Sequence, residues 1–188
     1  MTPGSEQKPS DRALVDAARA GQVRALERLL DRHQGRVLRV LRFLGIPAQD
    51  REDVAQEVFV RVFRHLDGFR PGQEFGAWLY RVTVNAGHDY RSRRGRRARG
   101  EAPWREGTEH QDPRPGPAES ARGRELRREL ERALELLSDR ERTIFVLREV
   151  EGLDSREVAR ALGITSVTVR RHLSRARRRL RQALSGEA

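Results

Sequence analysis

Between residues 170 and 178 of this 188-residue chain, Arg170, Arg171, Ser174, Arg175 and Arg178 are the side chains whose types and spacing most clearly imply a chemistry. A guanidinium group donates hydrogen bonds in a planar fork that suits both phosphate oxygens and base edges. The five residues share one side of a single predicted helix, whose other side carries Val169, Leu173, Ala176, Leu180 and Leu184 at steps of three and four. They fall within the first turns, the part that a helix laid in the major groove presents to bases. A solvated basic face is the alternative for such a helix. Seven Arg against one Glu between residues 164 and 188 exceed what solubility requires.

A second cluster lies upstream. Trp78, Tyr80, Asn85, Asp89 and Tyr90 stand partly off the apolar stripe of Phe75, Leu79, Val82 and Ala86, and Arg91, Arg93, Arg94, Arg96 and Arg97 follow. Rings interleaved with polar groups and followed by guanidinium suit single-stranded nucleic acid, whose bases stack and whose phosphates need counter-charge. Core packing competes for Phe75 and Trp78, and a disordered basic linker competes for the arginine run. A third cluster, Glu52, Asp53, Gln56, Glu57, Arg61 and Arg64, makes a mixed outer helix face for which ordinary solvation is the plain alternative.

The formal charge of +11 is concentrated: residues 91–99 and 164–188 each contribute +6, which leaves −1 for the rest. Localised positive charge without a hydrophobic anchor points to nucleic acid rather than to a membrane surface. The absence of cysteine removes disulfides, thiolate chemistry and Cys-based zinc sites. His33, His65, His88, His110 and His172 have no metal-ligand spacing, and neither a Gly-rich phosphate loop nor an activated Ser is present. Neither enzyme nor cofactor is therefore expected. The polar start and the lack of a long apolar run argue against a secretory signal and a membrane span, so a cytoplasmic protein is expected.

The elements that must carry these clusters read as helices throughout. Ser10 caps a first helix ending at Gly21. Val23 to Leu41 form a long amphipathic second helix, stopped by Gly45 and Pro47, on which His33 packs. Asp50 caps a third, with Val54, Val58, Val62 and Leu66 inward, and a fourth runs from about Glu74 into the arginine run. From Gly95 to Ala118 periodicity lapses among prolines and glycines, the mark of a flexible linker. Leu126, Leu130, Leu134 and Leu137 resume it. Ser138 with Glu141, and Asp154 with Glu157, form capping boxes, Gly163 ends the second of these helices, and Thr165 or Ser166 caps the next. The expected fold is all-α, with a polar tail (1–10), a first helical domain (11–94), a linker (95–118) and a second helical domain with a helix-turn-helix (119–188).

Two blocks of this sequence, Asp50 to Arg94 (DREDVAQEVFVRVFRHLDGFR, then FGAWLYRVTVNAGHDYRSRR) and Ala133 to Leu184 (ALELLSDRERTIFVLREVEGLDSREVARALGITSVTVRRHLSRARRRLRQAL), resemble domains 2 and 4 of sigma-70 family factors of the extracytoplasmic-function group. The resemblance implies an alternative sigma factor that binds core RNA polymerase and directs initiation on promoter DNA, one copy per polymerase, with an anti-sigma factor as regulator. It places Asp53, Gln56 and Glu57 where domain 2 binds polymerase. It places Trp78, Asn85, Asp89, Arg91, Arg93 and Arg94 at the melted minus-10 element, with Asn85 where relatives capture a flipped base. Thr168, Arg170, Arg171, Ser174, Arg175 and Arg178 match minus-35 readers. Catalysis would belong to the polymerase alone.

Overall fold

The computed structural model describes residues 9–70, 74–98 and 121–184, among which no strand occurs. Eight α-helices follow one another: α1 (Asp11–Arg19), α2 (Val23–Phe43), α3 (Ala48–Arg64), α4 (Phe75–Ala98), α5 (Ala121–Glu135), α6 (Asp139–Phe145), α7 (Ser155–Leu162) and α8 (Ser166–Leu184). Their starts follow from local chemistry. Ser10 Oγ accepts the Ala13 N–H at 3.2 Å, both anticipated capping boxes are closed, and Thr165 Oγ1 accepts the Thr168 N–H at 3.1 Å. Gly163 ends α7 in the left-handed region, at φ +64°, where a Cβ would be strained.

Three expectations need correction. Asp50 does not cap α3, which begins at Ala48 behind Pro47 without a side-chain cap. The fixed φ of proline already sets the chain entry, and the Asp50 carboxylate instead accepts the Tyr90 hydroxyl. The fourth helix does not lapse at Gly95 but continues to Ala98. One glycine costs only about 1 kcal/mol in a helix interior, and the flanking arginines are good helix formers that favour the C-terminal end of the dipole. Leu126, expected on an inward stripe, is exposed and lines an open apolar groove with Leu130, Ala133, Phe145 and Leu180. The rest of the expected linker, residues 99–118, and most of the tail lie outside the described residues.

Helices α1 to α4 enclose one core, with Leu29, Leu41, Val58 and Val62 fully buried and Phe75 and Leu79 nearly so. His33 packs there as expected: it is buried, its ring lies 5.2 Å from that of Phe75, and its Nε2 is 2.8 Å from Asp11 Oδ2. Burial outweighs the Asp11 charge and lowers the His33 pKa, so the ring is neutral at pH 7. Helices α5 to α8 enclose a second core around Leu134, Ile144, Leu147, Val158, Val169 and Leu173. Between α6 and α7 a π-type turn over Val146–Val150 closes with Glu151 N–H donating to Val146 O at 3.0 Å.

The two cores meet. Val40 and Phe43 of α2, Leu44 immediately after it, and Tyr80 and Val84 of α4 belong to the same apolar cluster as the second core. Polar groups fasten this seam. Arg39 donates to both carboxylate oxygens of Glu151, at 2.6 and 3.0 Å, and Tyr80 OH donates to the same carboxylate at 2.7 Å. Burial and the Glu151 charge push the Tyr80 hydroxyl well above its ordinary pKa of 10. The buried Arg142 donates to Leu134 O at 2.8 Å and reaches Leu44 O at 3.4 Å. Arg91 pairs with Asp139 at 2.6 Å, Arg42 with Glu131, and His88 Nε2 meets Thr143 Oγ1 at 3.0 Å. Thr143 gives its own proton to Asp139 O, so His88 is the donor.

Candidate nucleic-acid interface

Helix α8 separates its cations by face. Val169, Leu173, Ala176 and Leu180 are buried against α6 and α7, which turns Arg170, Arg171, Ser174, Arg175 and Arg178 to solvent. On the flanks, Arg177 pairs with Glu149 at 2.7 Å and Arg179 with Glu141 at 2.8 Å. Arg170, Arg171, Arg175 and Arg178 make no ion pair or hydrogen bond among the described residues. The fold thus engages Arg177 and Arg179 on the flanks and leaves these four outward arginines available to an anion. Thr168 is half-buried and its hydroxyl is 2.9 Å from that of Thr165, so it braces the first turn. His172, between these arginines, has its pKa lowered by burial and by Arg171, so it adds no charge at pH 7. The seam between the cores covers none of the four outward arginines.

The upstream cluster divides differently. Asn85 is exposed midway along α4, on a stripe with Arg81 and Asp89 at steps of four, and its amide makes no hydrogen bond among the described residues. Trp78 is half-buried, its ring 5.7 Å from both Phe69 and Phe75, so packing claims most of its surface. Asp89 accepts from Arg61 at 2.8 Å, and Arg93 donates to Glu57 at 2.9 Å. Arg94 donates to the Tyr90 hydroxyl at 3.1 Å and lies 3.4 Å from Asp50, while Arg91 is drawn into the seam. These three arginines are paired with carboxylates, so a phosphate would have to replace an existing partner. Arg81 was missed by sequence reasoning, although its spacing of four from Asn85 was a readable signal.

On α3, Asp53 and Gln56 are exposed and Glu57 is half-exposed, held by Arg61 and Arg93. The structure therefore joins the third cluster to the second through Glu57. Val60 and Phe63 continue the outer face of α3, and Phe63 is 65 % exposed. With Val60, itself 45 % exposed, Phe63 adds an apolar patch to the polar stripe. Attention to polar residues hid it, although the steps from Gln56 to Val60 and Phe63 are helical.

Comparison with known proteins places these faces in a family. Residues 29–97 match the model of sigma-70 region 2, and residues 127–180 match that of sigma-70 region 4. The chain is 33 % identical over 186 residues to the RNA polymerase sigma factor CnrH of Cupriavidus metallidurans, covering 95 % of this chain and 96 % of that one. It is 30 % identical over 180 residues to the RNA polymerase sigma-H factor of Pseudomonas aeruginosa, covering 93 % of each. Among solved structures, CnrH in complex with the cytosolic domain of CnrY superposes with a TM-score of 0.71 at 31 % identity, over 95 % of this chain and 99 % of that chain. No helix among the described residues is long and apolar enough to cross a membrane. With two helical modules in the order of regions 2 and 4 and full-length likeness to such relatives, the chain belongs to the extracytoplasmic-function group of the sigma-70 family, the alternative sigma factors that direct promoter-specific transcription initiation.

Proposed function

We propose that α8 reads the minus-35 element through Arg170, Arg171, Ser174 and Arg175, with Arg178 on phosphate and Thr168 bracing the helix start. The observation that carries this reading is the partition of α8, in which flank arginines are paired internally and the outward ones are not. Asn85 captures an unpaired base of the minus-10 element, its free amide helping offset an unstacking cost of a few kcal/mol. Arg81 lies beside it as a phosphate contact, and Arg91, Arg93 and Arg94 exchange carboxylate for phosphate when the strand arrives. Asp53, Gln56, Glu57, Val60 and Phe63 form the surface for core polymerase, with charge at one end and an apolar anchor at the other. The protein performs no catalysis itself and works in the cytoplasm, one copy per polymerase. The relative CnrH was solved with the cytosolic domain of CnrY, which supports an anti-sigma factor as a partner here.

The two elements lie about 25 base pairs apart, roughly 85 Å of duplex at 3.4 Å per pair. A single body of 188 residues has a radius of gyration near 16 Å and cannot span that distance. The seam therefore opens when the chain engages polymerase and promoter. A transcription assay tests the reading: core polymerase plus this chain should initiate at selected promoters, and the chain alone should bind duplex DNA weakly. Tight specific binding without polymerase would refute it in favour of a self-sufficient repressor or activator.

A further inference from the structure

The outward side of α8 carries one side chain that charge cannot explain. Val167, in the first turn, is 64 % exposed. Steps of four, three and four lead from it to Arg171, Ser174 and Arg178, which puts it in line with the outermost residues of the helix. The buried residues Val169, Leu173 and Ala176 occupy the opposite side. Among the described residues nothing accounts for a valine here. It has no share in either apolar cluster, and a β-branched residue at an exposed helical position gives up helix propensity without burial in return. A single exposed apolar residue is ordinary on a protein surface. This one stands at the leading end of a helix whose other outward residues, as far as Arg178, are cationic or hydroxylated.

We infer that Val167 is a specificity determinant of the minus-35 contact and recognises a thymine through its 5-methyl group. In the major groove the thymine methyl is the one apolar feature that distinguishes a base pair, and a short branched side chain at the start of an inserted helix meets it without competing for hydrogen bonds. Arg171, one turn further on, then pairs with an acceptor on the base next to that thymine. The inference rests on the proposal that α8 enters the major groove.

The test uses holoenzyme assembled from core polymerase and the full chain. Promoters are first selected by transcription from a pool randomised upstream of the minus-10 element, and each thymine of the selected minus-35 sequence is then replaced singly by deoxyuridine, which removes only the methyl. One position should lose about fourfold in open-complex formation, the amount expected for one methyl withdrawn from an apolar contact. Val167→Ala should abolish that sensitivity, and Val167→Ile should keep it. A selected element without thymine, a scan with no sensitive position, or an unchanged fourfold loss in Val167→Ala overturns the inference. Arg171→Ala distinguishes this failure from that of the underlying reading. If it alters the selected minus-35 sequence while the deoxyuridine scan is silent, only Val167 is wrong. If it leaves the sequence unchanged, Arg171 reads no base and the assignment of the outward face of α8 on which this inference rests fails.

Discussion

Replacing Arg39 by Ala should loosen the seam between the two cores without unfolding either. Glu151 has a side chain only 1 % exposed, and its charge is met by Arg39 and the Tyr80 hydroxyl. Removing one partner of a buried ion pair costs about 3–5 kcal/mol, because the other charge stays desolvated. Here Arg39 is itself 46 % exposed, so solvent screens part of the attraction and about 2 kcal/mol is the better figure. That corresponds to roughly a thirtyfold shift in the ratio of closed to open chains. The cost falls on the closed arrangement, since opening hydrates Glu151. The natural chain has no cysteine, so cysteines introduced at the exposed Glu27 and Glu135, on α2 and α5, can be spin-labelled uniquely. Pulsed electron resonance should give one narrow distance for the parent and an added population at longer distances for Arg39→Ala. Glu151→Gln should have the smaller effect, because it keeps the Tyr80 hydrogen bond and leaves an arginine that water can solvate. Identical distance distributions for parent and Arg39→Ala, with a lowered melting temperature, would refute this reasoning and assign the pair to the stability of one module.

Asn85→Ala should leave closed-complex binding nearly intact and slow promoter melting, read by permanganate reactivity of unpaired thymines; unchanged melting removes Asn85 from the site. Glu57→Lys should sharply weaken capture by core polymerase in a pull-down, at a stability cost of about 1 kcal/mol from lost pairing with Arg61 and Arg93. A collapsed circular dichroism melt would make Glu57 structural instead. Burial raises the Glu141 pKa, but hydrogen bonds from Ser138 and the charge of Arg179 together hold it below the ordinary 4.5. Its contribution is therefore complete above that value and is lost as pH falls through the lower, folded pKa. Ser138→Ala should cost about 1 kcal/mol at pH 7, and urea titrations should find the gap between variant and parent narrowing below pH 4.5. A gap that stays constant with pH would contradict the assignment.

Local residue chemistry is enough to set the helices and the direction in which most of them face. Capping boxes at Ser138 and Asp154, the left-handed stop at Gly163 and the steps of three and four along α8 are short-range features, and their physics acts within a turn or two. The two-module organisation and the outward arginines of α8 were legible for the same reason. Tertiary structure alone decided which charges remain available. Arg171 and Arg177 look alike in the sequence, yet Glu149 lies against one of them and not the other. Asp50 reads as a cap and becomes a hydrogen-bond acceptor for Tyr90, forty residues away. The mixed face of α3 became a paired network only when α4 brought Arg93 and Asp89 alongside Glu57 and Arg61. The seam is the extreme case. Arg39 and Glu151 are 112 residues apart, and no periodicity marks either, because an ion pair between modules depends on how two finished surfaces meet rather than on any local propensity.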